Sequence, residues 1–412
     1  MPKVKIQNLI NSSDNSWEEY YIIHERKVAI GSYQLSYMTK LGIPEPHPGS
    51  QLLATYLGDE PAILHADKLL VLGDGNGLYT SYLASKAPQC QIWVTDLTST
   101  SITLLHRAVQ ANHLPNIRIF PDMSTPELGI SDIDTKEFDI AVIILPKGRK
   151  VFRRWLLQAY QALKEKGVIY ILGANNQGVL SAADDTKQLF TEVHTLAYKK
   201  SNRIFRAIKS DSHTTLPEWA NQPGIAPQTW CEYTTNLLGH KFIIRTLPGV
   251  FSYEHLDDGS RMLLESMEIP KGRVLDIGCG CGILGIAAAF LGATEVHLAD
   301  NHIFSIASTY ENLSQNFIQN AQVFASDLYD GLPDSLYHLI LSNPPFHSGR
   351  EVDYQIAKVL ITQGYARLHR GGAFTIVANR FIPYNRLMEN IFHNVKVLKS
   401  DSKFHVLMSL KI

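Results

Sequence analysis

Short apolar runs alternate along the second half of the chain with longer stretches whose apolar positions recur at helical spacing. Residues 274–277, 295–299, 339–342 and 374–377 are mostly apolar over four or five positions and pass into polar or glycine-rich segments, which predicts short buried strands. Between the last two, Ile356, Val359 and Leu360 fall on one helical face. Alternating strand and helix predicts an α/β fold with a doubly wound, mostly parallel sheet and helices on both sides.

The same succession occurs twice. "KLLVLGDGNGLYTSYLA", "QIWVTDL", "FDIAVIILPKG" and "LKEKGVIYILGANN" in the first half are answered by "GRVLDIGCGCGILGIAAA", "EVHLADN", "YHLILSNPPFHSG" and "LHRGGAFTIVANR" in the second. The repeat sets Gly75 opposite Gly278, Asp96 opposite Asp300, Ile144 opposite Asn343 and Asn175 opposite Asn379, with Gly73 facing Asp276 across a shortened loop. The segments ahead of each copy also match, "PGSQLLATYL" with "DGSRMLLESM". Pro, Gly, Ser and Thr gather at 210–230, so the chain divides into a first domain at 1–209, a linker at 210–230 and a second domain at 231–412. Past the linker, Gly239 and His240 sit between two strand-like runs, as in a hairpin.

Composition bounds this picture without changing it. A chain of 412 residues is long for one core and predicts two domains of roughly 200 residues. With 38 Lys and Arg against 39 Asp and Glu, there is no global field to draw nucleic acid, so such binding has to use a local patch. "KGRKVFRR", with Lys147, Arg149, Lys150, Arg153 and Arg154, is one candidate; a solvated helix start is the alternative. Four scattered cysteines fit a reducing compartment better than a disulfide framework. No apolar run has the length of a signal peptide core or a membrane span, and a cytoplasmic protein with no membrane partner is expected.

Candidate chemistry concentrates in the second copy. In "LDIGCGCGILG" glycines stand at alternate positions after a strand, where they allow tight turning and close approach of a ligand to a helix N-terminus. Gly280, Gly282 and Gly285 satisfy a dinucleotide fingerprint, with Asp300 at a distance suited to a ribose. The longer string, Asp276, Gly278, Gly280 and Gly282, resembles the first motif of class I S-adenosylmethionine-dependent methyltransferases. That resemblance implies that the loop wraps the methionine part of the cofactor, that Asp300 binds the ribose hydroxyls, and that Asp327 in "FASDLYDG" meets the adenine amine. A carboxylate suits both tasks because it only accepts hydrogen bonds. Cys279 and Cys281 supply two thiols with no second pair nearby, and no metal is expected.

Asn343-Pro344-Pro345-Phe346 follows the fourth strand. Prolines cannot join a ladder and fix the backbone. The Asn343 side-chain oxygen and the Pro344 carbonyl can each accept an N–H from an amine conjugated to a π system, which localises its lone pair, while Phe346 offers a stacking face. His347 and Arg350 follow, within reach of phosphate or a base edge. The motif resembles the signature of amino-group methyltransferases and implies that Asn343 also touches the cofactor. In the first copy Ile144-Leu145-Pro146-Lys147 replaces it, so that domain is expected to be catalytically inert, with RNA holding as the role left open to it.

Duplicated domains with a degenerate first copy, "NPPF" in the second, "LPGVFSYEHLDDGSRMLLESM" and "IVANRFIPY" together resemble the bacterial ribosomal RNA guanine-N2 methyltransferases, and more the small-subunit (16S) type than the large-subunit (23S) type. The resemblance implies two tandem Rossmann-like class I methyltransferase domains, S-adenosylmethionine as cofactor, methylation of a guanosine N2 amine, ribosomal RNA or a ribosomal subunit as partner, and a monomer whose two domains mimic a dimer. A protein-glutamine methyltransferase and a non-catalytic RNA-binding protein are the readings from other classes.

Overall fold

The computed structural model describes residues 17–43, 45–46, 48–120, 136–210, 215–344, 350–380 and 382–412. Among them are two seven-stranded sheets of the same strand order. The second runs, edge to edge, Ala321–Ala325, Glu295–Asp300, Arg273–Ile277, Tyr337–Ser342, Leu368–Asn379, Phe404–Leu410 and Lys396–Ser400. Its first five strands are parallel, and Phe404–Leu410 runs against both of its neighbours. The first sheet repeats this with Ile117–Ile119, Gln91–Thr95, Lys68–Leu72, Phe138–Ile144, Leu163–Ala174, Asn202–Ile208 and Thr191–Lys199.

All four predicted runs lie in strands of the second sheet, and Ile356, Val359 and Leu360 lie in the helix Arg350–Ala366. The centre of a parallel sheet is covered on both faces, which is why Val274, Leu275 and Ile277 are all apolar and buried, with only Asp276 interrupting the run.

Each sheet is preceded by an antiparallel hairpin, His24–Ile30 with Tyr33–Thr39 and Cys231–Leu237 with His240–Thr246. In the second hairpin the turn is Leu238–Gly239, both at positive φ, and His240 opens the return strand rather than sharing the turn. The two copies hold their hairpins alike. Asn112 accepts from the Ser36 amide at 2.8 Å and donates to the Ser36 carbonyl at 2.6 Å; Asn316 does the same to Ile243 at 3.1 and 2.8 Å. The duplication therefore reaches further towards the start of each copy than the glycine loops.

Two pairings from the repeat shift. The Gly73 amide donates to the Thr95 carbonyl as the Gly278 amide donates to that of Ala299, and Gly77 and Gly282 both cap the next helix in the left-handed conformation. Gly73 thus stands at Gly278 and Val71 at Asp276, and the first loop is not shortened. Glycines at alternate positions make the two frames look alike, so only the ladder decides between them. Likewise Leu163–Ala174 matches Leu368–Asn379 along its length, which puts Ala174, not Asn175, at Asn379. Asp96 with Asp300 and Ile144 with Asn343 agree with the registers.

The copies meet at equivalent residues. Thr98 and His302 form an antiparallel bridge, with the Ser99 amide donating to the Asn301 carbonyl and the Ile303 amide to the Leu97 carbonyl, each at 2.8 Å. Exchange of the copies exchanges these bonds, so a pseudo-two-fold axis passes between them, as in an isologous dimer.

In the basic run 147–154, a candidate RNA patch, Arg149, Lys150, Arg153 and Arg154 each have a partner within the molecule, while Lys147 and Arg149 stay exposed. Arg149 and Arg153 clamp the buried Asp185, with bonds of 2.8 to 3.1 Å. Buried Arg154 donates to the Gly224 carbonyl at 2.6 Å, and Lys150 pairs with Glu254 while lying 4.6 Å from the Tyr253 ring centroid. The helix Arg149–Ala162 packs at the junction of the copies, where charges taken from water require partners. The segment 210–230 is no free linker either. Trp219 and Ile225 are buried with the first core, and the Trp219 indole donates to Gln188 at 2.9 Å.

Candidate active site

The glycine loop follows the central strand Arg273–Ile277. Gly278, Gly280 and Gly282 have φ of 70°, 58° and 83°, left-handed values that β-carbons disfavour, which is why glycine recurs there. Their surroundings differ. A β-carbon on Gly278 would meet nothing within 4 Å, and one on Gly280 would meet Phe251 at 3.6 Å, whereas on Gly282 it would meet Thr309 at 2.9 Å. On Gly285 it would strike Leu298 at 2.5 Å. Gly278 and Gly280 face open space, and Gly282 and Gly285 let the helix Ile283–Phe290 settle on its neighbours.

That space is a cleft of about 560 Å³, within the range of small-molecule sites, lined among others by Gly278, Gly280, Asp300, Asp327, Asn343 and Pro344. Six of the predicted positions are thereby brought together. Asp276 and Gly282 do not line it. Asp276 lies under the loop, where Oδ2 accepts from the Gly285 amide at 2.8 Å and caps the helix N-terminus, and Oδ1 is buried without a partner among the described residues. Burial pushes its carboxyl up to about 7. Its place is structural support for the loop, one layer behind the position expected of it.

Asp300 ends the second strand, accepting from the Gly280 amide at 2.8 Å and the His302 amide at 2.7 Å, bonds that aim the carboxylate along the loop. Burial nonetheless raises its pKa. His302, also in the lining, is held by burial down to about 4 and stays neutral, so it adds no positive charge to the cleft. Burial also pushes the Cys281 thiol up to about 11 and the Cys279 thiol upwards, so both are uncharged and poor metal ligands. Among the described residues no group of three His, Cys, Asp or Glu could hold a metal ion, and no helix is long and apolar enough to cross a membrane.

Asn343 stands where the strand Tyr337–Ser342 ends. Its Nδ2 donates to Asp257 Oδ2 and to Ser260 Oγ, both at 2.9 Å. A carboxylate can only accept, so the amide has one orientation, with both hydrogens engaged and Oδ1 as its acceptor. Asp257 is itself fixed as the N-cap of the helix Asp258–Leu264 by accepting from the Ser260 amide at 2.9 Å. Neither Asp257 nor Ser260 was singled out in the sequence; the signal was "DDGS", an acid and a hydroxyl at N-cap spacing ahead of an apolar run. Pro344 is buried in the lining. Phe346 and His347 lie outside the described residues, as does the side chain of Arg350.

Asp327 joins the cleft to the first half of the chain. Tyr20 donates to its Oδ1 at 2.7 Å, Lys40 forms an ion pair with it, and the Thr100 hydroxyl, with one proton to give, lies 3.2 Å from its Oδ2 and 3.1 Å from Asn301 Oδ1. A carboxylate offers about four lone-pair positions, so acceptor positions remain on Asp327 beyond those that Tyr20 and Lys40 use.

The corresponding corner of the first copy is closed. A β-carbon on Gly73 would meet the Ile144 carbonyl oxygen at 2.6 Å and the buried Trp155 ring at 3.0 Å, and one on Gly75 would meet Ser101 Oγ at 2.8 Å. Asp74 caps the following helix through the Thr80 amide at 2.6 Å, taking from within the loop the task that Asp276 performs from the strand.

Comparison with known proteins agrees with this architecture. Residues 241–408 match the family model described as Methyltransferase small domain, and residues 61–222 match that of its N-terminal domain. A protein of Psychromonas ingrahamii named ribosomal RNA small subunit methyltransferase C is 35% identical over 296 residues, covering 69% of this chain and 80% of that protein. The chain belongs to the ribosomal RNA small subunit methyltransferase C family. The Vibrio vulnificus member is 33% identical over 273 residues, covering 65% of this chain and 76% of its own. A solved structure of a Thermus thermophilus 16S rRNA N2 G1207 methyltransferase, in complex with AdoMet and guanosine, shares the fold with a TM-score of 0.74 at 23% identity, covering 96% of this chain and all of that one.

Proposed function

We propose that the protein transfers a methyl group from S-adenosylmethionine to the exocyclic N2 amine of a guanosine in 16S ribosomal RNA. The observation that carries this reading is the single amide orientation of Asn343 at the edge of a glycine-lined cleft. Family membership in a group of small-subunit rRNA methyltransferases supports it, as does the shared fold with a relative that holds AdoMet and guanosine.

The cleft fits the cofactor: open space over Gly278 and Gly280 admits a chain close to the backbone, and Asp300 offers acceptors for a diol. When bound, S-adenosylmethionine supplies an electrophilic methyl group on a sulfonium. The residues of this chain do the rest by placement. Asn343 Oδ1 and the Pro344 carbonyl accept the two N–H bonds of the amine, which draws its lone pair out of conjugation and away from both oxygens. Asp257 and Ser260 hold the amide so that it cannot flip and present donors instead. The Phe346 ring is of the type that a base stacks on. Neutral His302 avoids repulsion of a cationic donor. Asp276 and Gly282 serve the cofactor indirectly by shaping the loop.

On this reading the division at 1–209, 210–230 and 231–412 separates a non-catalytic copy from the catalytic one, the protein acts in the cytoplasm on ribosomal RNA or a subunit, and it works as a monomer. Mapping methylguanosine in rRNA from cells lacking the protein tests it. Loss of one N2-methylguanosine from 16S rRNA, restored by the purified protein with labelled cofactor, is expected. An unchanged 16S pattern, or label entering 23S rRNA or protein instead, would overturn it.

A further inference from the structure

A second carboxamide stands beside Asn343. Asn379 closes the strand Leu368–Asn379, which runs parallel to Tyr337–Ser342 with Ile376 opposite Ser342, so the two asparagines leave neighbouring strands at the same end of the sheet. Both line the cleft, as does Phe404, the antiparallel partner of Asn379. Val377, two residues back on the same face, and Phe404 border the helix Asp258–Leu264, whose N-cap Asp257 holds Asn343. A β-carbon on Gly259 would meet them at 3.3 and 3.5 Å. Asn343 has both amide hydrogens engaged, whereas the half-buried side chain of Asn379 makes no hydrogen bond among the described residues; only its backbone carbonyl is used, accepting from the Ile382 amide at 3.0 Å. A carboxamide so placed is free to bond what enters the cleft.

The rim outside it carries unspent positive charge. Arg380 and Lys403 are exposed, and neither forms an ion pair among the described residues, in contrast to Arg149, Lys150 and Arg153 of the first copy. Their two loops brace each other. The Arg380 amide donates to the Lys403 carbonyl and Arg380 Nη1 to the Asp401 carbonyl, both at 3.1 Å. The one nearby carboxylate, Asp401, accepts from the Lys403 and Phe404 amides at 2.7 Å each.

We propose that this corner reads the base and holds its backbone: Asn379 is a specificity-determining residue that pairs with N1–H and O6 of the guanine whose N2 amine sits at Asn343, and Arg380 and Lys403 contact the phosphates beside that nucleotide. This rests on the reading of the site as a guanosine N2 methyltransferase. Asn343 and Pro344 accept from any conjugated amine and cannot by themselves select a base. Along the edge of guanine the amine is followed by a donor, N1–H, and then by an acceptor, O6. A carboxamide is the complement in that order, its oxygen accepting from N1–H and its Nδ2 donating to O6. Adenine or cytosine with its amine at Asn343 sets a bare ring nitrogen next to it, and Asn379 then makes one bond at most.

The test compares methyl transfer to 16S rRNA and to the same RNA carrying 2-aminopurine at the methylated position, which keeps the N2 amine and lacks both N1–H and O6. Asn379→Ala should lower kcat/KM on the guanosine RNA by about 10- to 50-fold and leave the 2-aminopurine RNA within about threefold of the parent, so that the preference for guanosine collapses. Where the substituted RNA is not turned over, its inhibition constant gives the same ratio. Asn379→Leu keeps the size of the side chain without its bonds and decides the matter if Asn379→Ala does not fold. Arg380→Ala and Lys403→Ala should weaken both RNAs alike, by about threefold, and each should lower the salt dependence of RNA binding. Equal losses on the two RNAs with Asn379→Ala, no loss on the guanosine RNA, or RNA binding and its salt dependence unmoved by both cation variants would overturn the proposal while leaving N2 methylation standing. No transfer to 16S rRNA by the unaltered chain would overturn both.

Discussion

At Gly278 an added methyl group would enter open space, while at Gly73, its counterpart in the first copy, it would press on the Ile144 carbonyl at 2.6 Å and the Trp155 ring at 3.0 Å. Around these two points the frame is nearly the same: a central parallel strand, a helix capped by a left-handed glycine, and an asparagine pinning a hairpin. What separates a cleft from a packed interior is a handful of side chains. Loss of a site need not disturb a fold, because the sheet is held by buried strands and ladders that the cleft residues hardly enter. The first copy has also kept its interface, where Thr98 bridges its own counterpart His302.

The sharpest break of this comparison is at Asn343. Asn343→Ala should lower kcat/KM by about 10²-fold or more in labelled methyl transfer, with S-adenosylhomocysteine affinity much less changed, since it removes positioning of the amine. The counterpart change, Trp155→Ala, should cost about 3–5 kcal/mol in denaturant unfolding, because a buried ring leaves a cavity that the sheet cannot collapse into, and it should create no transfer activity.

Gly→Ala in the two loops reads the difference directly. Gly73→Ala should destabilise by about 1–3 kcal/mol in thermal or chemical melts, as overpacking adds to a positive φ. Gly278→Ala should cost about 1 kcal/mol from its φ of 70° alone, yet raise the KM for S-adenosylmethionine, because the methyl group occupies the cleft.

Asp276 adds a pH dependence. Its carboxyl is raised to about 7 in the fold against an ordinary value of 3.8, so the unfolded chain ionises first as pH rises. The penalty is absent below about pH 4, grows between about pH 4 and 7, and is complete above. Asp276→Asn, which keeps an acceptor for the Gly285 amide, should therefore match the parent at pH 4 and exceed it at pH 8 by a few kcal/mol at most in melts of the cofactor-free protein. The smallest effect is expected at the basic run: Lys150→Ala should change rRNA affinity less than about twofold by filter binding, because its charge is spent on Glu254.

Much of the fold was legible because parallel strands buried on both faces are mostly apolar, as 274–277 and 339–342 are apart from Asp276 and Ser342. The cleft residues Gly278, Gly280, Asp300 and Asn343 were legible because each type is required by a local constraint: left-handed backbone, a lone acceptor, or a terminated strand. Asp257 and Ser260 were not, since an N-cap reads alike whether or not it also holds an amide. The pairing of the basic run was not legible, because charge in sequence says nothing about whether a buried carboxylate such as Asp185 waits across the fold.

Local order and chemistry, then, were decided by residue type and spacing: two copies, a glycine loop, and an acceptor-bearing strand end in one copy but not the other. Whether a loop encloses space, which carboxylate faces it and which supports it, and that Lys40 and Tyr20 meet Asp327 across some 300 residues, were decided only by tertiary packing. Such contacts depend on the relative placement of the two sheets, and no periodicity along a chain encodes that distance.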